Sequence, residues 1–284
     1  MISFIAKKSL GQHFLHAPNV VGAMIHAARI EPGMTVLEIG PGKGVLTRGL
    51  LKAGAKVIAI EKDERSVEYM KENFADDISS GNLRLVYGDV LDMRTADIGL
   101  EQGTYVIVAN IPYYITGEIL RKFLSEMDHP ARMVLLVQKE VAKRIVAADG
   151  KESILSISVK AFGEPKYIDT VPKRFFRPMP NVDSAIILID NINRDFFTET
   201  DMPIDEDKKA IVSEKTFFDI VRAGFAHKRK VLKGNLTKIL PAQALENLWI
   251  TKKWPLDARA ETFTLSQWKE LAKETSLFHI ERAK

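Results

Sequence analysis

The sequence of 284 residues contains no cysteine, and this absence removes several kinds of chemistry. Disulfide bonds, zinc sites with thiolate ligands and catalysis by a cysteine nucleophile are all excluded. No apolar run is long enough to cross a bilayer, and the N-terminal residues lack the pattern of a secretory signal. The six histidines are scattered without the spacing of metal ligands. We therefore expect a cytoplasmic protein with no membrane partner and no metal site.

The chain as a whole has only a small excess of positive charge, and this excess is concentrated in one region. The net charge is +4, and the stretch from Ser213 to Ala260 holds ten basic and four acidic residues. Such a local excess suits a polyanionic partner, although a solvated helix surface explains it equally well. The composition, 46% hydrophobic and 27% charged, is typical of a globular protein with a sizeable core.

From Thr35 onward, short runs rich in Val, Ile and Leu alternate with segments of helical periodicity. The predicted strands are Thr35–Ile39, Lys56–Ile60, Leu83–Tyr87, Tyr105–Ala109 and Met133–Val137. The predicted helices are Val45–Ala53, Glu64–Phe74, Gly117–Glu126 and Gln138–Ala147. This alternation indicates an α/β fold with a mostly parallel sheet that is covered on both faces.

After Gly150 the pattern changes to strands without long helices between them, which predicts a terminal antiparallel hairpin. These strands are Ile154–Phe162, Tyr167–Val171 and Ser184–Ile189. The polar stretch Asn191–Asp205 is interpreted as a linker, and the helical pattern from Glu206 is broken at Gly224, Pro241 and Pro255. We predict an α/β domain over residues 1–191 and a small all-helical domain over residues 206–284.

A glycine-rich turn, Gly40-Pro41-Gly42-Lys43-Gly44, follows the first predicted strand of the sheet. Ligands of open α/β sheets bind at this end of the strands. The spacing fails the dinucleotide fingerprint, because Thr47 stands where the third Gly or Ala belongs. A cofactor without phosphates is therefore favoured over a pyrophosphate.

Acidic residues close the next two strands. Glu61 is placed to bind ribose hydroxyls, and Asp89 can accept a hydrogen bond from an exocyclic amine such as adenine N6. Each acid alone is more typical of a strand end or a helix cap. Together with the glycine turn they predict an adenosine pocket.

Asn110-Ile111-Pro112-Tyr113 follows the fourth strand and predicts chemistry on a planar amine. The lone pair of an exocyclic adenine amine is delocalised into the ring, so methyl transfer requires the nitrogen to be held with that lone pair toward the methyl group. The Asn110 oxygen and a backbone carbonyl can accept the two N–H bonds. Pro112 fixes the turn and removes a competing donor, and Tyr113 offers a face on which the base can stack.

With these segments in place, the chain resembles the ribosomal RNA adenine dimethyltransferases. The resemblance includes the N-terminal segment Ser9-Leu10-Gly11-Gln12-His13-Phe14-Leu15 and the later segment Phe176-Arg177-Pro178-Met179-Pro180-Asn181-Val182-Asp183-Ser184. It implies a Rossmann-like class I methyltransferase sheet with S-adenosylmethionine as the cofactor. The implied cofactor contacts are His13, Leu15, Gly40, Glu61, Asp89 and Asn110. The target adenine is expected between Tyr113 and Phe176, in a catalytic group with Asn110 and Pro112. Many members of the family carry Asn where this chain has His13.

The C-terminal half resembles the small-subunit branch of that family. The similar segments are Phe225–Leu232 with Asn235-Leu236, interpreted as a basic helix, and Arg259-Ala260-Glu261-Thr262. The resemblance implies N6,N6-dimethylation of two adjacent adenines in the 3′-terminal hairpin of small-subunit (16S) rRNA during ribosome maturation. The expected partner is an immature ribosomal subunit, and a monomer is the default. The basic side chains expected to bind the RNA backbone are Lys228, Arg229, Lys230 and Lys233.

Several alternatives stay open at this point. The macrolide-resistance enzymes that methylate large-subunit rRNA share the motifs of the N-terminal half. A ribosome-assembly factor with vestigial catalysis would use the same surfaces. A protein-glutamine or DNA-adenine methyltransferase would also need an Asn-x-Pro-Tyr turn, and a nicotinamide oxidoreductase is disfavoured by the glycine spacing.

Overall fold

A computed structural model describes residues 11–198 and 213–282 of the chain. Two units are found by their internal packing: Met1–Val146 with Gly163–Ile192, and Ala147–Phe162 with Asn193–Lys284. The second unit therefore takes in residues 147–162, which the sequence had been expected to contribute to the α/β domain.

The first unit is built on a seven-stranded sheet with the order β4-β3-β2-β5-β6-β9-β7. The strands are β2 (Thr35–Ile39), β3 (Lys56–Glu61), β4 (Leu83–Tyr87), β5 (Tyr105–Asn110), β6 (Arg132–Gln138), β7 (Glu164–Val171) and β9 (Ser184–Asp190). Strands β2 to β6 are parallel, and β9 lies antiparallel between β6 and β7. The mostly parallel sheet and its terminal antiparallel hairpin are confirmed. A separate antiparallel ribbon pairs β1 (Phe14–Leu15) with β8 (Phe176–Arg177).

Six α-helices belong to this unit within the described chain, and the central strands β2, β5, β6 and β9 are buried. They are α1 (Pro18–Ala28), α2 (Val45–Lys52), α3 (Glu64–Asn73), α4 (Ala75–Ser79), α5 (Thr116–Ser125) and α6 (Lys139–Val146). Gly44 is the residue that precedes helix α2; its φ is +70°, and an added Cβ would lie 2.4 Å from the Phe74 ring. Only glycine fits there, so this residue allows the chain to pass from strand β2 into helix α2.

The order of the strands predicts a crevice between the carboxyl ends of β2 and β5. Strand β2 is followed in sequence by β3 on one side, whereas its neighbour on the other side is β5. Loops that leave the carboxyl ends of β2 and β5 therefore diverge, and ligands of open α/β sheets bind at such a switch point. Gly40 and Asn110 stand at these two strand ends.

The second unit is helical in its described part, as predicted for the C-terminal region. Its helices are α7 (Ile154–Lys160), α8 (Asp195–Thr198), α9 (Glu214–Gly224), α10 (Leu232–Leu236), α11 (Ala242–Lys252) and α12 (Leu265–Arg282). Aromatic rings form much of its core: Trp249 packs against Trp254 and Phe263, and Phe263 packs against Trp268. Among the described residues, no helix combines the length and the apolarity needed to cross a membrane.

Two segments differ from the sequence-based expectations. The run Ile154–Phe162, expected as a strand, forms helix α7. Ser153 caps this helix, because its hydroxyl accepts the Ser156 N–H while the Ser156 hydroxyl accepts the Ser153 N–H. The expected linker contains helix α8, in which Phe197 is buried. The rest of that linker, residues 199–205, and the expected start of the helical domain, residues 206–212, lie outside the described residues, as do Ser9 and Leu10.

Candidate active site

A cavity of about 320 Å³ opens at the carboxyl ends of β2, β3, β4 and β5. It brings together nearly all the residues that the sequence singled out in the first unit. These are His13, Leu15, Gly40, Glu61, Asp89, Asn110, Pro112 and Tyr113. The segments that carry them are distant in sequence and meet because parallel strands end at one edge of the sheet.

The glycine turn forms one wall of the cavity. Gly40 and Gly42 have φ angles of +66° and +55°, which favour glycine. A Cβ on Gly42 would lie 2.8 Å from the Phe14 ring, so a side chain there would push that ring aside. The backbone of the turn can therefore approach a ligand closely.

The Glu61 carboxylate is fixed by backbone donors. It accepts the N–H of Asp63 at 2.8 Å and the N–H of Gly42 at 3.0 Å, one on each oxygen. Burial raises the pKa of this carboxyl above its ordinary value, and the two N–H groups oppose that rise. A carboxylate has about four acceptor positions, so each oxygen can accept a further bond from a hydroxyl in the cavity.

Asp89 is held at the end of β4 by a different set of donors. One oxygen accepts the Leu91 N–H at 3.0 Å, and the other forms an ion pair with the ammonium of Lys62. Burial acts to raise the pKa of Asp89, but these donors outweigh it and the pKa lies below its ordinary value. An ionised acceptor is thus maintained at the cavity wall.

Glu38 also lines the cavity, although no role had been expected for it. Its side chain is 1% exposed in strand β2, and its Oε2 accepts the Thr47 hydroxyl at 2.7 Å. Burial, more than the nearby Glu61, raises the pKa of Glu38 to about 8. The available signal was an acid inside an otherwise apolar strand that leads into the glycine turn.

The Asn110 amide has a defined orientation. Its Nδ2 donates to the backbone carbonyl of His13 at 3.1 Å, which leaves Oδ1 to accept a hydrogen bond. The Tyr113 hydroxyl shares a 2.6 Å hydrogen bond with Ser184, and burial raises the pKa of Tyr113, so the hydroxyl stays protonated at neutral pH. A neutral acceptor and an aromatic ring therefore stand side by side.

Phe176 is the exception among the expected site residues of this unit. It lies opposite Leu15 in the β1–β8 ribbon, packs into the hydrophobic core and is 2% exposed. It does not line the cavity, and its covered ring offers no open face to a base. The expected pairing of Phe176 with Tyr113 around the target stays a prediction.

The expected RNA-binding residues lie in the second unit. Lys228, Arg229 and Lys230 are in the turn between α9 and α10, not on a helix as expected, because α9 ends at Gly224. All three are exposed and form no ion pair with any residue that the structure describes. Lys233 lies on α10 and is paired with Glu246.

Asn235 fixes the shape of this basic turn. Its Nδ2 donates to the carbonyls of Gly224 at 2.6 Å and of His227 at 3.1 Å, and its side chain is buried. One side chain thereby holds the backbone at Gly224, where the turn begins, and at His227, just before the basic residues. Asn235 is therefore a polar residue in a buried position because its amide binds the backbone of the basic turn.

Four further cavity residues had been given no role from the sequence. Gln12 and Phe14 lie inside the recognised N-terminal segment, and Lys62 and Tyr114 flank recognised residues. Lys62 follows Glu61 directly, and Tyr114 is 62% exposed beside Tyr113. Within the described ranges, no three His, Asp or Glu side chains gather as metal ligands, and the expected lack of a metal stays a prediction.

Comparisons with known proteins agree with this geometry. The family described as ribosomal RNA adenine dimethylase matches residues 3–276. The chain is 39% identical over 271 residues to the ribosomal RNA small subunit methyltransferase A of Dehalococcoides mccartyi, covering 95% of this chain and 88% of that protein. It is 36% identical over 279 residues to the protein of the same name from Fusobacterium nucleatum, with coverage of 96% and 98%.

Two solved structures share the fold over nearly the full length. A dimethyladenosine transferase from Plasmodium falciparum superposes with a TM-score of 0.71 at 25% identity, covering 95% of this chain and 98% of that one. The 23S rRNA methyltransferase ErmE gives a TM-score of 0.70 at 24% identity, with coverage of 93% and 99%. The second likeness concerns the fold alone.

Proposed function

The chain belongs to the ribosomal RNA adenine dimethylase family, and from this premise we propose that it dimethylates adenine N6 in small-subunit rRNA with S-adenosylmethionine as the methyl donor. The relatives named as small subunit methyltransferases are 36–39% identical over nearly the whole chain. The large-subunit enzyme is 24% identical, and that lower likeness concerns the fold. The small-subunit function is therefore favoured over the macrolide-resistance type.

The observation that carries this proposal is the amide orientation of Asn110 inside the cavity. Because Nδ2 is bound to the His13 carbonyl, Oδ1 is the atom presented to a ligand. An acceptor here, beside the Tyr113 ring, suits an amine donor on a flat base. Hydride transfer from a nicotinamide does not require an amide acceptor such as Asn110 beside a stacking ring such as Tyr113.

The residues around the cavity fit S-adenosylmethionine. The cavity of about 320 Å³ lies within the usual range for small-molecule sites, roughly 300–1,000 Å³. Glu61 keeps acceptor positions for the ribose hydroxyls, and Asp89 keeps them for the adenine amine. The glycine turn would receive the methionine part, and His13 and Leu15 line the same cavity. When bound, the cofactor supplies an electrophilic methyl group on a sulfonium.

The residues of this chain orient the accepting nitrogen. Asn110 Oδ1 accepts one N6–H bond, and the carbonyl of Ile111, which precedes Pro112, accepts the other. With both N–H bonds held, the nitrogen lone pair points along the direction of attack. Held in this way by Asn110 and the Ile111 carbonyl, the nitrogen would face the methyl group that a bound cofactor would supply, and the amine would lose one proton to water. A second cycle on the same nitrogen gives the dimethylated base.

The basic turn in the second unit would bind the RNA backbone. Lys228, Arg229 and Lys230 are exposed, and contacts to phosphates hold an RNA without reading its sequence. The target bases must leave their stack to reach Tyr113. We further propose two adjacent adenines of the 3′-terminal hairpin as the target, an immature small subunit as the substrate, and a monomer that acts in the cytoplasm.

The test is methyl transfer to undermethylated small subunits, followed by mass spectrometry of the rRNA. The expected product is N6,N6-dimethyladenosine at two adjacent positions. Asn110→Ala should abolish turnover while the cofactor still binds, as measured by calorimetry, because Glu61 and Asp89 are unchanged. A variant with normal turnover would contradict the assigned role of Asn110. A wild-type protein that binds subunits without modifying them would support the assembly-factor alternative instead.

A further inference from the structure

Helix α5 carries a lysine that is largely covered by protein, although it lies outside the cavity. The side chain of Lys122 is 15% exposed, whereas lysine is almost always exposed unless it is paired. Its ammonium donates to the backbone carbonyl of Met93 at 2.5 Å and to the carboxylate of Glu126 at 2.6 Å. Neither Lys122 nor Glu126 lines the cavity. A charged side chain is therefore held under cover without forming part of the cavity wall.

The stability of helix α5 does not account for this lysine. Lys122 and Glu126 are four residues apart, but a lysine that precedes its glutamate is the weaker of the two orders for supporting a helix. The bond from Lys122 to Met93 leaves the helix and joins residues that are 29 positions apart. Glu126 also binds outside the helix, because its second oxygen accepts the hydroxyl of the buried Thr95 at 3.0 Å. Lys122 and Glu126 thus form a clamp on one segment, residues 88–95.

The clamped segment, here called the 88–95 loop, follows strand β4 and carries Asp89. Strand β4 is at the edge of the sheet and pairs with β3 alone, so the loop has a neighbouring strand end on one side only. The ion pair between Asp89 and Lys62 secures the loop weakly, because Lys62 is 59% exposed and exposed ion pairs contribute little. Lys122 provides a firmer anchor, because a hydrogen bond from a charged donor is stronger where water is excluded.

Met93 connects the clamp to Asp89. The Asp89 carboxylate accepts the Leu91 N–H at 3.0 Å, which fixes the turn that begins at Asp89. Met93 follows this turn, and its carbonyl is the one that Lys122 holds. The Met93 methyl group also covers Gly88 so closely that a side chain on Gly88 would collide with it. The position of Met93 therefore determines where the turn presents the Asp89 carboxylate.

We propose that Lys122 is a positioning residue for the cofactor, because by holding the Met93 carbonyl it keeps the Asp89 carboxylate in place to accept the adenine amine. The inference rests on the proposed function, since it takes S-adenosylmethionine as the ligand and its adenine amine as the partner of Asp89. The loss of Lys122 should weaken binding at the adenine end of the cofactor. It should leave the substrate side of the cavity, at Asn110 and Tyr113, unchanged.

Calorimetry with S-adenosylhomocysteine tests this role. Lys122→Met keeps the apolar stem of the side chain and removes the ammonium. We expect the Kd to rise about tenfold, the lower end of what a hydrogen bond from a charged donor contributes. The KM for S-adenosylmethionine should rise by the same factor, while kcat and the KM for RNA stay unchanged. Lys122→Arg restores a charged donor and should recover most of the affinity.

Arg121→Met is the matched control, because it removes an exposed cation from the same helix and should bind S-adenosylhomocysteine like the wild type. A double-mutant cycle then tests whether Lys122 acts through Asp89. Asp89→Ala removes the acceptor, so adding Lys122→Met to it should change the Kd by less than about twofold, since two residues that act on one contact are not additive.

The inference is overturned if Lys122→Met binds S-adenosylhomocysteine like the wild type, or if its loss and that of Asp89→Ala multiply in the double variant. Equal weakening by Arg121→Met would overturn it as well. Should Lys122→Met fail to fold, Thr95→Val, which releases the other end of the clamp, is judged by the same criteria. Failure of the proposed function is distinct, because the wild type itself would then bind no S-adenosylhomocysteine.

Discussion

Replacing Glu38 by Gln is expected to change how the stability of the protein depends on pH. Glu38 lines the cavity, is 1% exposed and accepts a hydrogen bond from Thr47. A Gln side chain has nearly the same shape, and its carbonyl oxygen can accept the same bond. The substitution therefore removes the titration and leaves the packing.

The size of the effect follows from the pKa of the buried carboxyl. Its value rises from 4.5 to about 8 in the folded protein, chiefly because burial disfavours the charged form. The folded state thus binds this proton more tightly than the unfolded state does. The resulting stabilisation is complete below pH 4.5 and is lost as the pH rises toward 8. Between pH 6 and pH 8 the loss amounts to about 2 kcal/mol of the free energy of unfolding.

Urea denaturation at pH 6 and pH 8 measures this loss. The wild type should lose about 2 kcal/mol more between the two pH values than Glu38→Gln does. Glu118→Gln is the matched control, since Glu118 lines the same cavity but is exposed, and it should behave like the wild type. Equal losses in the wild type and in Glu38→Gln would refute the reasoning.

Two further predictions concern the basic turn of the second unit. Replacing Lys228, Arg229 and Lys230 together by Ala should flatten the slope of log K for RNA binding against log salt by up to about three units, since each phosphate contact contributes about 0.7–0.9. Filter binding at several salt concentrations measures this slope, and Lys215→Ala is the control because Lys215 is paired with Asp219. An unchanged slope would place the RNA contacts elsewhere. Asn235→Ala leaves the carbonyls of Gly224 and His227 without their donor, so it should lower the free energy of unfolding by about 1–3 kcal/mol and raise KM for RNA. Thermal denaturation measures the stability, and methylation kinetics measure KM. A stable variant with normal KM would show that the turn holds its shape without Asn235.

Much of the sheet could be predicted because its strands are short apolar runs, and the central ones are buried on both faces. Thr35–Ile39 and Leu83–Tyr87 have the predicted ends, since apolar runs of this length are bounded by charge or glycine. The order of the strands then brings their carboxyl ends together. For this reason, Glu61, Asp89 and Asn110 line one cavity although each was identified from a separate motif.

The failures have equally specific causes. An apolar run such as Ile154–Phe162 suits a buried strand or a short helix, and only the Ser153 cap decides for the helix. A motif identifies Phe176 but not its burial, which depends on pairing with Leu15 far away in the sequence. The cofactor contact expected of His13 stays a prediction, and the stacking of its ring on Tyr113 could not be predicted because it depends on the same ribbon.

The β1–β8 ribbon also sets the moment at which the protein becomes competent during its own synthesis. A nascent chain that ends at Val146 already carries the glycine turn, Glu61, Asp89 and Asn110. It lacks Phe176 and Arg177, however, and so Phe14 and Leu15 have no strand to pair with. The His13 carbonyl and ring can take their places only after residue 178 has left the ribosome that is making the chain. The centre that modifies ribosomal RNA is therefore assembled late in translation, after the cofactor-binding edge of the sheet.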